Sequence, residues 1–397
     1  LPGDTRGKYR KSPGQARDKP GTSGVKDKRE IITPHLEKNI KGEFGVKEKN
    51  RMRKIKAGVA GYGRSGRGHH CNSLLKLPEK YEIVALCEPN DERRNDAEKN
   101  LKCRVYKDFN KFLKDSETEL VSIATPSYMH TKHTVAALKA GKNVVCEKPL
   151  SDNVADVDEM IRTAKKHRKI FAPFQNRRHD PLFLKIKEIV DSGKLGEIVE
   201  IKITWHDFGR RWDWQTLRKF KGGTLNNSCP HIIDQGMQFM PENDTYKILC
   251  QLKKTLTCGD ADDHVKIVIE GKKSALLDME VTSSAAYGQE EKYLVMGTKG
   301  GLKANLSEVW WKYCKPETLP RRTLPRIAIS ENRTYGDEEI TWKEEYWKVP
   351  EGLMSYSVKF YDSLYNTLAK GAPLYITPES ARRVIWVIEQ CHKIGKL

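Results

Sequence analysis

The hexapeptide Gly61-Tyr62-Gly63-Arg64-Ser65-Gly66 constrains this chain more than any other segment. It follows an alternating apolar run, Ile55, Ala57 and Val59, and opens onto a helix-like stretch, the strand–turn–helix context that a dinucleotide fingerprint requires. Gly61 permits the tight turn, Gly63 lets the main chain approach a pyrophosphate, and Gly66 allows close packing of helix on strand. The helix N-terminus adds N–H donors and positive potential. Tyr62, Arg64 and Ser65, carried on the same turn, join the glycines as candidate cofactor contacts.

The pattern that follows is strand and helix in alternation. Glu82–Cys87, Leu120–Ala124 and Asn143–Cys146 read as strands, with a helix over Thr131–Ala140. Strands separated by helices of ten or more residues predict a doubly wound parallel sheet, a Rossmann-type α/β domain over residues 53–175. The second strand ends at Glu88, 22 residues after Gly66. A carboxylate there accepts both ribose hydroxyls of NAD and repels a 2′-phosphate, which favours NAD over NADP. Arg64, Arg93 and Arg94 are close in sequence and offset that repulsion, and the same position suits an ordinary acid at a helix N-terminus.

Beyond residue 176 the texture changes. Tryptophans gather after residue 200, and period-two runs appear at 198–205 and 264–269. Successive strands predict a C-terminal α+β domain, residues 176–397, built on a mainly antiparallel open sheet with one face free. A last helix over 378–393, with Thr377 as N-cap and Glu379 in its first turn, is expected to pack back on one of the two domains.

Composition excludes several classes. The net charge of +19 is uneven: residues 1–53 hold 15 Lys and Arg against 7 Asp and Glu. Residues 1–52 read as a basic flexible arm with at most a short helix near Ile31–Ile40, and Met52 stands as a candidate natural start. No nucleic-acid motif accompanies the charge, so it reads as a solvated surface. No apolar run approaches the ~18 residues of a membrane span, and no leader-like apolar segment opens the chain. The nine cysteines show no metal or disulfide spacing, which predicts reduced thiols in a cytoplasmic protein without a metal.

Further residues narrow the reading. Ala124-Thr125-Pro126-Ser127-Tyr128-Met129-His130, then Cys146-Glu147-Lys148-Pro149, then Gly193-Lys194-Leu195-Gly196-Glu197-Ile198 and the block from Gly222-Gly223 to Asp234 resemble the Gfo/Idh/MocA oxidoreductases. Gly297-Thr298-Lys299-Gly300 and the Gly371-Ala372-Pro373-Leu374 segment extend the likeness, which covers residues 54–397. It implies an NAD(P)-dependent enzyme acting on a carbohydrate or polyol, assembled as a homodimer or homotetramer. It also implies that Thr125, Pro126 and His130 line the nicotinamide end. Glu147 and Lys148 then stand where cofactor meets substrate, and the Lys148–Pro149 peptide is cis.

Lys148 is the first catalytic candidate, because an ammonium beside the reacting hydroxyl stabilises developing alkoxide and moves the proton. Asn227-x-x-x-His231-x-x-Asp234 supplies the second half: residues four apart share a helical face, so Asn227 and His231 address one hydroxyl and Asp234 follows a turn later. The usual pattern has aspartate at the position of Asn227 and glycine at that of Cys229, so His231 is expected to be a weaker base here. Arg211, Trp212, Asp213 and Trp214 mix aromatic faces with charged donors, which suits either sugar binding or a buried tryptophan cluster. The expected reaction is hydride transfer between a secondary alcohol and NAD. Two alternatives share the fold: glycoside cleavage through transient oxidation by tightly bound NAD, and a noncatalytic dinucleotide sensor.

Overall fold

Six short strands form the first sheet of the computed structural model, which describes residues 53–323 and 338–395. The expected arm, residues 1–52, lies outside the described residues. The strands are β1 (Ile55–Ala60), β2 (Tyr81–Cys87), β3 (Arg104–Tyr106), β4 (Leu120–Ile123), β5 (Asn143–Cys146) and β6 (Phe171–Pro173). Their order is β3-β2-β1-β4-β5-β6 and every pairing is parallel. Residues 57–60 and 120–123 are buried throughout, as expected where both faces of a parallel sheet are covered.

Helices α1 (Asn72–Leu75), α2 (Asp91–Leu101), α3 (Phe109–Leu113), α4 (His130–Lys139) and α5 (Val154–His167) make the connections. Local chemistry starts them: Asn90, Asp108 and Asn153 each accept a main-chain N–H at the N-cap of α2, α3 and α5. The chain reverses direction across the sheet between β1 and β4. Ligands of such folds bind outside the strand ends at this switch point, and Gly61, Glu88, Thr125 and Lys148 follow β1, β2, β4 and β5.

The second sheet has eight strands: β7 (Ile198–His206), β8 (Tyr246–Lys253), β9 (His264–Gly271), β10 (Leu276–Thr282), β11 (Tyr293–Gly297), β12 (Gly300–Ala304), β13 (Glu308–Tyr313) and β14 (Lys343–Lys348). Only β7 and β10 pair in parallel; the other neighbours are antiparallel. Val265, Ile267 and Ile269 are buried while the residues between them are partly exposed, the alternation of a sheet with one covered face.

Helices α6 (Pro181–Asp191), α7 (Thr224–Asn227), α8 (Cys229–Met237), α9 (Tyr356–Lys370) and α10 (Pro378–Ile394) complete the fold. Thr377 caps α10, accepting from the Ser380 N–H. That helix touches α5 and β6 on one side and α8 and β8 on the other, and Arg382 grips Asp158 of α5 through two bonds of 2.6 and 3.0 Å. Packing back is not confined to α10. The Tyr361 hydroxyl of α9 reaches Ser122 at 2.8 Å and Tyr365 bonds the Arg53 carbonyl at 2.9 Å, so α9 closes the apolar surface around β1. Both sheets belong to one compact unit. Among the described residues no helix is long and apolar enough to cross a membrane.

Candidate active site

A cleft of about 1160 Å³ opens at the strand ends of the first sheet, with its far wall built from residues beyond 176. Gly61, Gly63, Arg64, Ser65, Glu88 and Lys148 line the first wall; Arg177, Trp205, Arg211, Trp214, Asn227 and His231 line the second.

The glycine turn has the shape that a pyrophosphate needs. Gly61 has φ +95°, and a Cβ there would stand 2.5 Å from the Ala124 carbonyl oxygen, while one at Gly66 would overlap the Gly61 carbonyl. At Gly63 a Cβ would meet nothing nearer than Arg93 Nη1 at 3.8 Å, so the main chain is bare toward the cleft. The next turn, Gly66–Cys71, is π-helical. This wider turn sets His69 at the cleft and His70 in the core, an offset that periodicity alone does not reveal.

Tyr62 departs from the expectation. Its ring is buried and does not line the main cleft; its main-chain N–H donates to Glu88 Oε2 at 2.7 Å. Glu88 Oε1 accepts from the Asn90 N–H at 3.0 Å. Asn90 caps α2, so Glu88 is not the capping acid, and its carboxylate stays at the cleft. Of the three nearby arginines, Arg94 is tied to the Glu88 carbonyl and to Asp91, whereas Arg64 and Arg93 line the cleft.

Thr125 and Pro126 line the cleft; His130 does not. His130 is buried, with Nδ1 2.7 Å from the Pro149 carbonyl oxygen and Nε2 2.9 Å from that of Thr125, so it ties the two loops together instead of meeting a cofactor. Glu147 accepts from the Ser65 hydroxyl and the Lys148 N–H, and lies 3.2 Å from His70 Nε2. Burial by itself would raise this carboxyl; the His70 contact and the Lys148 charge outweigh it and hold Glu147 below the usual carboxylate range. The Lys148–Pro149 bond is cis.

Lys148 Nζ donates to the Asn227 main-chain carbonyl at 2.8 Å. Burial, then the charges of Arg64, Arg177 and Arg211, bring the amine down to about 8, with Glu147 opposing. The single helical face expected for residues 227–234 is broken: α7 ends at Asn227, α8 begins at Cys229 with Pro230 in its first turn, and the His231 N–H turns to Ser228 at 3.2 Å. The Asn227 side chain accepts from Gln215 at 3.3 Å and does not orient His231. His231 is pushed well below the ordinary imidazole range by burial and then by Lys148 and Arg177. Its Nδ1 is buried with no hydrogen-bond partner among the described residues.

Three expected substrate contacts stand elsewhere. Asp234 is buried under the site, held by Arg178 through bonds of 2.8 and 2.5 Å. Trp212 is 80% exposed and off the cleft. Asp213 also stands off the cleft, where it binds Arg211 through two 2.9 Å bonds and accepts from the Gln215 N–H. Arg211 and Trp214 do line the cleft. His69, Arg177, Trp205 and Tyr356, which no expectation from the sequence includes, also line it. For Arg177 a signal existed, since it follows β6 just beyond the end of a parallel strand. Among the described residues no three His, Cys, Asp or Glu side chains converge as a metal site would.

A cleft at the switch point of a Rossmann sheet, with a bare glycine turn and a lysine facing a histidine, defines a nucleotide-dependent oxidoreductase. Residues 55–174 match the family described as "Oxidoreductase family, NAD-binding Rossmann fold", and residues 183–303 match the GFO/IDH/MocA C-terminal domain. The chain is 30% identical to a myo-inositol 2-dehydrogenase of Thermotoga maritima over 63% of this chain and 75% of that protein. It is 26% identical to a scyllo-inositol 2-dehydrogenase (NADP(+)) of Bacillus subtilis over 88% of this chain and 96% of that one. A levoglucosan dehydrogenase, solved with NADH and levoglucosan, shares the fold with a TM-score of 0.70 at 18% identity, over 86% of this chain and 97% of that one. This chain belongs to the Gfo/Idh/MocA oxidoreductase family.

Proposed function

We propose that this protein is an NAD-dependent dehydrogenase that moves hydride between a secondary alcohol of a sugar, cyclitol or glycoside and the nicotinamide. One observation carries the reading: Lys148 and His231, from opposite walls, line one cleft together with the glycine turn. The names of the relatives, inositol and levoglucosan dehydrogenases, agree with such a substrate class.

The Gly61–Gly66 turn, with Ser65 and Arg64, is suited to hold the pyrophosphate, and Glu88 to accept the ribose hydroxyls. Thr125, Pro126 and Glu147 border the nicotinamide end. The nicotinamide, when bound, supplies the hydride acceptor. The chain itself handles the proton. Above about pH 8 the Lys148 amine is neutral and takes the hydroxyl proton, held in place by the Asn227 carbonyl. His231, neutral at ordinary pH, shares a hydrogen bond with the same oxygen. Arg211 and Trp214 serve the substrate wall.

The test is Lys148→Ala assayed on a substrate found by screening sugars, cyclitols and glycosides for NAD reduction. Loss of a general acid–base group predicts a fall in turnover of about 10²–10⁴, with NADH binding, read by fluorescence, unchanged. Wild-type-like turnover in this variant overturns the assignment. Bond cleavage without net NADH release points instead to the transient-oxidation reaction.

A further inference from the structure

The second wall carries three cations, and two of them are already satisfied. Arg211 is held by Asp213 and by Gln215 at 2.8 Å. Lys221 is paired with Asp152 at 2.6 Å. Arg177 is different. Its nearest carboxylate among the described residues is Asp180 at 4.0 Å, and one Asp180 oxygen already caps α6 by accepting the Leu182 N–H at 3.0 Å. No hydrogen bond from the Arg177 guanidinium is made among the described residues.

The guanidinium is nonetheless held in place. Its carbon lies 4.7 Å from the centre of the Trp205 ring and 5.3 Å from that of Tyr356, so aromatic surfaces position the cation without using its N–H edge. Trp205 in turn packs against His231, with ring centres 5.8 Å apart. Arg177, Trp205, Tyr356 and His231 all line the cleft. A guanidinium held over two aromatic rings, with none of its N–H donors hydrogen-bonded among the described residues, can meet a planar carboxylate through two parallel hydrogen bonds.

We propose that Arg177 is the subsite for a carboxylate on the substrate, so that the alcohol oxidised in this cleft belongs to a sugar acid. This rests on the dehydrogenase reading above and narrows it from neutral polyols to uronate- or aldonate-type carbohydrates. Arg177 acts here as a binding residue; the proton chemistry stays with Lys148 and His231.

The experiment uses matched probes on the full chain with saturating NAD: D-glucose against D-glucuronate, D-galactose against D-galacturonate, and D-glucose 6-phosphate. At least one uronate is expected to exceed its neutral partner by ~10-fold or more in kcat/KM, the scale of one charge-assisted bidentate contact. Arg177→Gln should raise KM for that acid by about 10- to 100-fold, with NAD affinity little changed; kcat is compared on the plateau above the Lys148 limb, because loss of the Arg177 charge lets that amine rise, and there it should change little. Arg177→Lys should recover part of the KM loss.

Calorimetric binding of the same probes to the NADH complex separates this inference from the reaction assignment. Uronate binding that is lost in Arg177→Gln supports the subsite even if no probe is oxidised, in which case the dehydrogenase reading falls alone. Equal preference for neutral sugars, a preference for the phosphate, no uronate binding at all, or weakened NAD binding in Arg177→Gln each overturns the proposal.

Discussion

The Lys148 ammonium bonds the main-chain carbonyl of Asn227 at 2.8 Å, and that carbonyl is free because the helix breaks at Ser228. In an unbroken helix it would take the His231 N–H, four residues on. Pro230, which brings no N–H, and the turn of His231 to Ser228 leave the acceptor open. The interruption between α7 and α8 therefore joins the two walls of the cleft.

An amine brought down to about 8 sets a pH dependence. Alcohol oxidation needs the neutral amine, so kcat/KM should rise with pH through about 8 and level off above it, while the reverse reduction should fall over the same interval. Lys148→Arg, whose guanidinium does not titrate in this range, should remove that limb. A wild-type profile in this variant would assign the ionisation elsewhere.

Glu147 opposes the fall in the Lys148 pKa, since its negative charge favours the ammonium. Glu147→Gln removes that charge, keeps an acceptor for Ser65, and should move the limb of the pH–rate profile to lower pH. A move to higher pH, or none, would mean that Glu147 does not face the amine electrostatically.

Gly63 and Gly66 separate cofactor binding from folding. A side chain at Gly63 enters only cleft space, so Gly63→Val should melt within a few degrees of wild type while NAD affinity drops by more than ~10-fold (about 1.4 kcal/mol). Gly66→Ala collides with the Gly61 carbonyl and should destabilise the fold itself. Thermal melts alongside NADH fluorescence titration read both.

Asp234 and Arg178 form a buried pair whose partners leave little room for substrate. Removing one member strands the other, at a cost of about 3–5 kcal/mol. Asp234→Ala should therefore lower the denaturant midpoint strongly while KM, measured where the variant is still folded, stays near wild type. A large rise in KM with unchanged stability would return Asp234 to the substrate.

Glu88 faces the cleft as a carboxylate between two main-chain donors, so NAD should bind more tightly than NADP, and Glu88→Ser should narrow the gap. Arg64 and Arg93 stand ready to receive a phosphate once that charge is gone. Tighter NADP binding by the unaltered protein, in fluorescence titrations, would reverse the preference.

The parallel sheet, the glycine turn and the second sheet were legible in the sequence because each is written in short-range pattern: alternation, apolar runs, and glycines where no side chain fits. Lys148 and His231 were legible as motif members, and the cleft does bring them together. The environment of each was not. The motif points to the side chain of Asn227, whereas its carbonyl makes the contact; it points to His130 and Asp234 as ligand contacts, whereas both hold buried structure. Arg177 gains its meaning only when Trp205 and Tyr356, far apart in the chain, bring their rings beside its guanidinium. Local pattern fixes which elements form, since it depends on neighbours a few residues away. Which atoms of a residue are left without a partner depends on contacts between distant segments, and those only the folded chain decides.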